Sequence, residues 1–297
     1  MARVLRSPLD ALGCVILPSP CALCGCPLPH LFVVPICQIC WEEIPIASGG
    51  ACQRCGDSIF DGAVNSSLCR RCRAVPPPFV RAVAYGPYED AMREAIHALK
   101  YGRLHGAARG LGRLLAEAIA QLAPDAPAEM LVVPVPLHRS KHAERGFNQA
   151  RSLAIYAVER LRHTHPEWRL KMASTTLMRL RATESQAGLT PHQRRENVRG
   201  AFEVSDAAAV RGKNLLLIDD IFTTGSTARA AAQAIMRAGA ESVWVATLAR
   251  AGRVREGRND WTPKVDEAEK ITVRNGDEPA ANLQGAKRDS LHGQSSF

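Results

Sequence analysis

The chain of 297 residues is 46% hydrophobic and carries 38 Lys and Arg against 29 Asp and Glu, a formal net charge of +9. That composition supports one full buried core plus a smaller module and excludes a disordered chain. No run reaches the roughly 18 to 20 apolar residues of a bilayer-spanning helix, so a soluble protein with no membrane span is expected.

In chain order, residues 1–13 form an N-terminal leader segment in which Arg3, Arg6 and Asp10 interrupt any apolar stretch of signal-peptide length. Leu12, Gly13 and Cys14 make a faint lipoprotein-like box with no hydrophobic region ahead of it. Export is not expected, and a reducing cytoplasm is the expected compartment. Residues 14–74 are rich in cysteine and turn formers with little periodicity, as in a module nucleated by metal rather than by an apolar core.

Eight of the ten cysteines fall into four CxxC pairs: Cys21 with Cys24, Cys37 with Cys40, Cys52 with Cys55, and Cys69 with Cys72. Each turn brings two thiolates within reach of one tetrahedral ion, and two turns close a four-sulfur shell with no open position for water, a structural zinc site. The loops from Cys24 to Cys37 and from Cys55 to Cys69 hold 12 and 13 residues, so two consecutive zinc ribbons are the simplest arrangement. Spacing leaves crossed pairing open, and also Cys26 in place of a neighbour; Cys14 reads as a bystander. Redox-active or unligated cysteines are the plainer alternative, which four repeats argue against. Arg54, Arg70, Arg71 and Arg73 surround the second ribbon with positive charge, for which scaffolding or docking is favoured over direct nucleic-acid contact.

A proline-rich break at residues 75–78 precedes a segment, 79–250, in which short apolar runs alternate with amphipathic stretches. Strands are expected at 80–85, 131–135, 176–178, 214–218 and 242–248. Helices are expected at 89–101, 106–122, 146–162, 191–197 and 226–238, the second with Leu111, Leu114, Leu115, Ala118 and Ile119 on one face and the last ended by Gly239. Continuous apolar runs such as 215–218 mark strands buried on both faces, so the fold class is α/β, a mostly parallel sheet with flanking helices. The tail, 251–297, has 8 basic and 8 acidic residues, no repeating pattern, and is expected to be disordered.

Between Arg139 and Arg199 lie 13 Lys and Arg against 5 Asp and Glu, so eight of the nine net charges sit in that stretch. A local positive field favours phosphates, of a small ligand or a nucleic acid, although a solvated basic face is the commoner meaning of such a run. Residues 215–227 read LLLIDDIFTTGST: a buried strand, two acids, a hydroxyl and glycine loop, then a helix. Gly225 lets backbone approach a ligand, the amides from Thr224 to Thr227 can point at a phosphate, and the hydroxyls of Thr223, Thr224, Ser226 and Thr227 add donors beside the helix N-terminus. Asp219 and Asp220 would repel that phosphate, so they suit the sugar hydroxyls or a magnesium ion. The plain alternative is a capped turn with solvated acids. A Walker loop is excluded, because its spacing and lysine are absent.

This run resembles the phosphoribosyl diphosphate signature of type I phosphoribosyltransferases. Further blocks resemble one branch, the ComF competence-protein family: LKYG at 99–102, VPVPLHRSKHAERGFNQA at 133–150 and RATESQAGLTPHQRRENVRGAF at 181–202. The resemblance implies a double zinc ribbon at 14–74 followed by a type I phosphoribosyltransferase-like domain at 79–250. It implies that Asp219 and Asp220 hold the ribose hydroxyls, Thr223 to Thr227 the 5′-phosphate, and Leu137, His138 and Arg139 the diphosphate, with Lys141, Arg145, Asn148 and Gln149 as anion contacts. Arg181, Thr183, Gln186 and residues 194–197 occupy the place of the catalytic hood. Lys100 and Tyr101 read either as the end of an exposed helix or as part of the basic rim, and His138 and His142 as solvated rather than catalytic.

Three functions are compatible with that resemblance. One is a phosphoribosyltransferase, of the glycosyltransferase class, acting with magnesium on an unknown acceptor. Another is a phosphoribosyl diphosphate-binding factor in DNA uptake during natural competence, with single-stranded DNA and DNA-import proteins as partners. A third is an accessory protein that senses phosphoribosyl diphosphate and has no DNA role. Catalytic status is left open at this point.

Overall fold

The computed structural model describes residues 20–28, 36–47, 50–59, 67–101, 106–181 and 191–252. The expected leader, Cys14, Thr183, Gln186 and the tail from residue 253 lie outside the described residues. Among the described residues, no helix is long and apolar enough to cross a membrane.

In chain order the elements are α1 (Gln38–Glu42), α2 (Arg70–Ala74), β1 (Ala82–Pro87), α3 (Asp90–Tyr101), α4 (Ala107–Ala120), β2 (Glu129–Pro134), α5 (Arg139–Arg145) and α6 (Gln149–Thr164). There follow β3 (Arg169–Met172), β4 (Leu177–Arg179), α7 (Pro191–Val198), β5 (Phe202–Val204), α8 (Ala207–Val210), β6 (Asn214–Phe222), α9 (Ser226–Arg237) and β7 (Ser242–Arg250). The main sheet has the order β1-β7-β6-β2-β3 and every pair in it is parallel; β4 and β5 form a separate antiparallel hairpin.

Alternation along the strands divides the core into two. On one face Val132, Leu216, Ile218, Trp244 and Ala246 pack against the apolar stripes of α3, α4 and α6, including Ile96, Leu99, Leu111, Leu115, Leu153 and Leu161. On the other, Val133, Leu215, Leu217, Val243 and Val245 pack against Ala228, Ala231, Ala232 and Ile235 of α9 and against Leu177 and Phe202 of the hairpin. The α/β class with a mostly parallel sheet is thus what the chain forms.

The cysteine ribbons are built into both cores. Cys21, Leu28, Ile36, Cys40 and Ile44 join the face covered by α3 and α4, whereas Cys52, Cys55, Cys69 and Cys72 join the α9 face. The two ribbons therefore straddle edge strand β1 and cover its open side: Ala47 N–H donates to Tyr85 O (2.8 Å) and Ala82 N–H to Arg54 O (2.9 Å). An exposed edge would be a template for unwanted pairing, and this cover removes it. The opposite edge, β3, instead carries outward Arg169 and Lys171.

Several elements differ from the sequence expectation. The helix expected at 146–162 forms as α6, opening at Gln149 after Asn148 caps it by accepting from Arg151 N–H, and an additional helix, α5, precedes it and ends at Gly146, at φ +75°. Strand β6 runs four residues beyond 218, because Asp219, Ile221 and Phe222 keep pairing with β7. The acids therefore lie in the strand, not in a loop. Strands β3 and β5 were not expected; each is short and is defined by a distant partner rather than by its own pattern.

Candidate functional site

From β2 the chain crosses to β3 on one side, and from β6 it crosses to β7 on the other, so the strand order reverses between β2 and β6. Open parallel sheets place ligands at such a reversal, outside the carboxyl ends of the strands. Val135 N–H donates to Ile218 O (2.8 Å), which brings the loop after β2 beside the end of β6.

The loop after β6 turns at Gly225, whose φ of +72° is left-handed, and α9 starts at Ser226. A Cβ on Gly225 would lie 2.5 Å from the Phe222 ring, so glycine is required by both conformation and space. Thr224 Oγ1 lies 2.7 Å from Ser226 Oγ and accepts from Ser226 N–H (3.3 Å). Thr223, Thr224 and Thr227 are half-buried at the mouth of the crevice. A cup of hydroxyls at the start of a 12-residue helix can receive an anion.

The two acids point to opposite faces of β6, as neighbours in a strand must. Asp220 faces α3 and α6 and is only 5% exposed. Its Oδ2 lies 2.8 Å from Lys100 Nζ and accepts from Gln149 Nε2 (3.2 Å). Burial works against its charge, but the Lys100 ammonium outweighs that and holds the carboxyl below the ordinary carboxylate value. Lys100 in turn is depressed by burial yet held above its usual value by Asp220. Asp219 faces the hairpin; burial first, and then the neighbouring Asp220 charge, push it up to about 7. The pair is therefore divided in task, with Asp220 closed in an internal ion pair and Asp219 at the crevice.

The basic rim comes from α5, with Arg179 of β4 beside it. Lys141 and Arg145 on α5 are half-buried, and Lys141 is pushed down by burial and by the charges of Arg179 and Arg145. Arg145 donates to Tyr101 Oη (3.1 Å) and lies over that ring at 5.0 Å. Positive groups crowded in this way are eased by an anion among them. His138 caps α5, its Nδ1 accepting from Ser140 N–H (3.3 Å), with half-buried Leu137 before it and exposed Arg139 after it. Asn148 shapes the loop: its Nδ2 donates to Val135 O (3.1 Å) while its Oδ1 caps α6. Gln149 orients Asp220, and its own buried Oε1 has no partner among the described residues.

Arg181, just after β4, donates to the carbonyl of Arg199, tying together the two ends of the segment between β4 and β5. On β4, the charge of Arg179 reaches Asp219. Sequence reasoning did not single out Arg179, and it left Lys100 undecided. A signal for Lys100 was present: it follows Ile96 by four residues on α3 and so falls on the buried stripe, where a lone lysine needs a partner.

Each ribbon gathers four sulfurs within 4.8 Å of one another, Cys21, Cys24, Cys37 and Cys40 in one and Cys52, Cys55, Cys69 and Cys72 in the other. The pairing is consecutive. Sulfur separations of 3.9 Å for Cys21 and Cys40, 3.7 Å for Cys24 and Cys37, and 3.8 Å for Cys55 and Cys69 match the edge of about 3.8 Å expected of a tetrahedron with Zn–S bonds near 2.3 Å. Burial opposes ionisation of Cys21 and Cys52, but amides of the knuckle turns outweigh it and bring them to about 6 and about 7. Gly25 and Gly56 adopt positive φ of 73° and 69° after the first CxxC turn of each cluster. The clusters fit a zinc-ribbon module.

Residues 144–281 match the sequence family described as a phosphoribosyl transferase domain. The DNA utilization protein YhgH of Salmonella typhi is 34% identical over 237 residues, which cover 78% of this chain and 97% of the relative. Competence protein F of Haemophilus influenzae is 27% identical, covering 72% and 96%. Competence protein ComFC of Bacillus subtilis is 28% identical, covering 72% and 84%.

Proposed function

The chain belongs to the ComF family, and on that premise we propose that its α/β domain binds phosphoribosyl diphosphate, or a closely related sugar phosphate, within a cytoplasmic protein that serves DNA uptake in natural competence. The observation that carries the reading is the glycine-turned hydroxyl loop and the acid at the end of β6, set beside the basic loop after β2 where the strand order reverses. Opposite ends of one ligand thus meet opposite chemistry. Hydroxyls and amides from Thr223 to Thr227 receive the 5′-phosphate, Asp219 accepts from a ribose hydroxyl, and Lys141, Arg145 and Arg179 face the diphosphate. Asp220 becomes available to sugar or metal once Lys100 moves away. Magnesium, held by diphosphate and acid oxygens, would neutralise charge between them. Structural zinc in both ribbons completes the set of ions.

Transfer to an acceptor is the second reading, and one observation favours it: the β4–β5 hairpin brings the Arg179 charge within reach of Asp219, as a lid on a reacting ribose would. Calorimetry with phosphoribosyl diphosphate and magnesium tests the first reading. Saturable binding lost in the D219N/D220N double variant is the expected result, and absence of binding to the intact protein rejects it. Binding of single-stranded DNA at two salt concentrations, with the same variant, tells whether the basic stretch 139–199 is a separate surface. Diphosphate release with a candidate acceptor would mark an enzyme.

A further inference from the structure

We propose that Arg71, carried on the second cysteine ribbon, is a positioning residue of the phosphate loop: by holding the Thr224 carbonyl it turns the Gly225 amide toward the ligand. The inference rests on the sugar-phosphate reading of that loop and adds a role for the ribbon in it.

Arg71 Nη1 donates to Thr224 O at 3.0 Å, across 153 positions of sequence. The Thr224–Gly225 peptide is planar and trans, so its carbonyl and its N–H point in opposite directions. A carbonyl drawn toward the ribbon therefore sends the Gly225 N–H away from it, toward the mouth of the crevice. The left-handed turn at Gly225 follows directly, and the next residue already begins α9. One guanidinium thus sets the donor at the base of the cup.

The rest of the ribbon holds the same loop from below. Phe222, the ring against which Gly225 packs, meets Phe79 edge-on at 6.1 Å and lies under the Arg250 guanidinium at 4.6 Å. Arg250 pairs with Asp57 at 3.2 Å and donates to the Cys55 carbonyl, both in the second ribbon. Arg229 of α9 donates to Val75 O (3.3 Å), just past α2. Arg71 itself stands between Cys69 and Cys72, so its backbone is fixed by the four-sulfur cluster. The described residues of the first ribbon pack on the other face of the sheet.

The test uses the full chain with zinc present and three variants: R71A, R71K, and R73A as a neighbouring exposed control. Hydrogen exchange of the segment 222–228 reads the loop itself, metal analysis reads the ribbon, and calorimetry with ribose 5-phosphate reads the site. In R71A, protection of 222–228 falls and ribose 5-phosphate binds roughly ten- to hundredfold more weakly, the range of a charge-assisted hydrogen bond, while zinc content holds. R73A behaves as the intact protein. R71K, which keeps the charge beside the cysteines, recovers part of both effects through its single ammonium donor. Unchanged exchange at 222–228 in R71A overturns the proposal, whether or not the sugar phosphate binds. Loss of loop protection in a protein whose intact form ignores ribose 5-phosphate upholds the bracing by Arg71 and refutes the ligand assignment instead.

Discussion

Replacing Lys100 by methionine removes the ammonium 2.8 Å from Asp220 Oδ2 while keeping most of the apolar stem that packs beneath it. Asp220, 5% exposed, then keeps the hydrogen bond from Gln149 and the more distant charge of Arg145. Breaking a buried ion pair by removing one member costs about 3 to 5 kcal/mol. The low end applies here, because the charge of Arg145 compensates in part. About 3 kcal/mol in a domain of this size lowers the Tm by roughly 6 to 12 °C. K100M/D220N, which removes both charges, should recover most of that loss, so that the two substitutions are strongly non-additive. Urea unfolding of the four proteins at pH 7.5 gives the coupling. The sign with pH follows from Asp220, whose carboxyl Lys100 holds below its ordinary value: the stabilisation is present above that ordinary value and is lost as acid protonates the folded form. The deficit of K100M should therefore shrink in acid. A K100M protein within about 0.5 kcal/mol of the intact one at pH 7.5, or a double variant no better than the single, would refute the reasoning.

Two further outcomes are expected. Asp219 is pushed up to about 7, so the folded protein keeps a proton that the unfolded chain releases near 3.8, and stability falls as pH rises between those values. D219N lacks that slope, and unfolding at pH 5 and pH 8 should show it gaining on the intact protein at the higher pH; a constant difference speaks against a perturbed Asp219. Metal analysis should find two zinc ions per chain, falling to one in C69S/C72S, and a strong chelator should destabilise the sheet domain along with the ribbons because both clusters lie in its cores. A single ion in the intact protein, or a domain whose unfolding ignores the chelator, counts against that arrangement.

Much of the chemistry was legible along the chain because it is encoded by neighbours. A CxxC turn sets two sulfurs by its own geometry, TTGST between a buried run and a helix is a local anion cup, and the stripe from Leu111 to Ile119 declares a buried helix face. The α5–α6 break was also available in Gly146 and Asn148. Other features carried almost no local signal. Strand β6 continues through two acids because β7 offers it partners to Phe222, and β5 exists as a strand through its pairing with β4.

By itself, then, the amino-acid order determined the long central strands, the main helices and the metal turns, and which loop suits a phosphate, since those depend on contacts within a few residues. Only the tertiary structure decided that Asp219 and Asp220 look to opposite faces, that Lys100 pairs with Asp220 while the charge of Arg179 reaches Asp219, and that the second ribbon reaches the phosphate loop through Arg71. Those relations join residues up to 153 positions apart, and it is the crossing of the chain over one sheet that brings them within reach of one another.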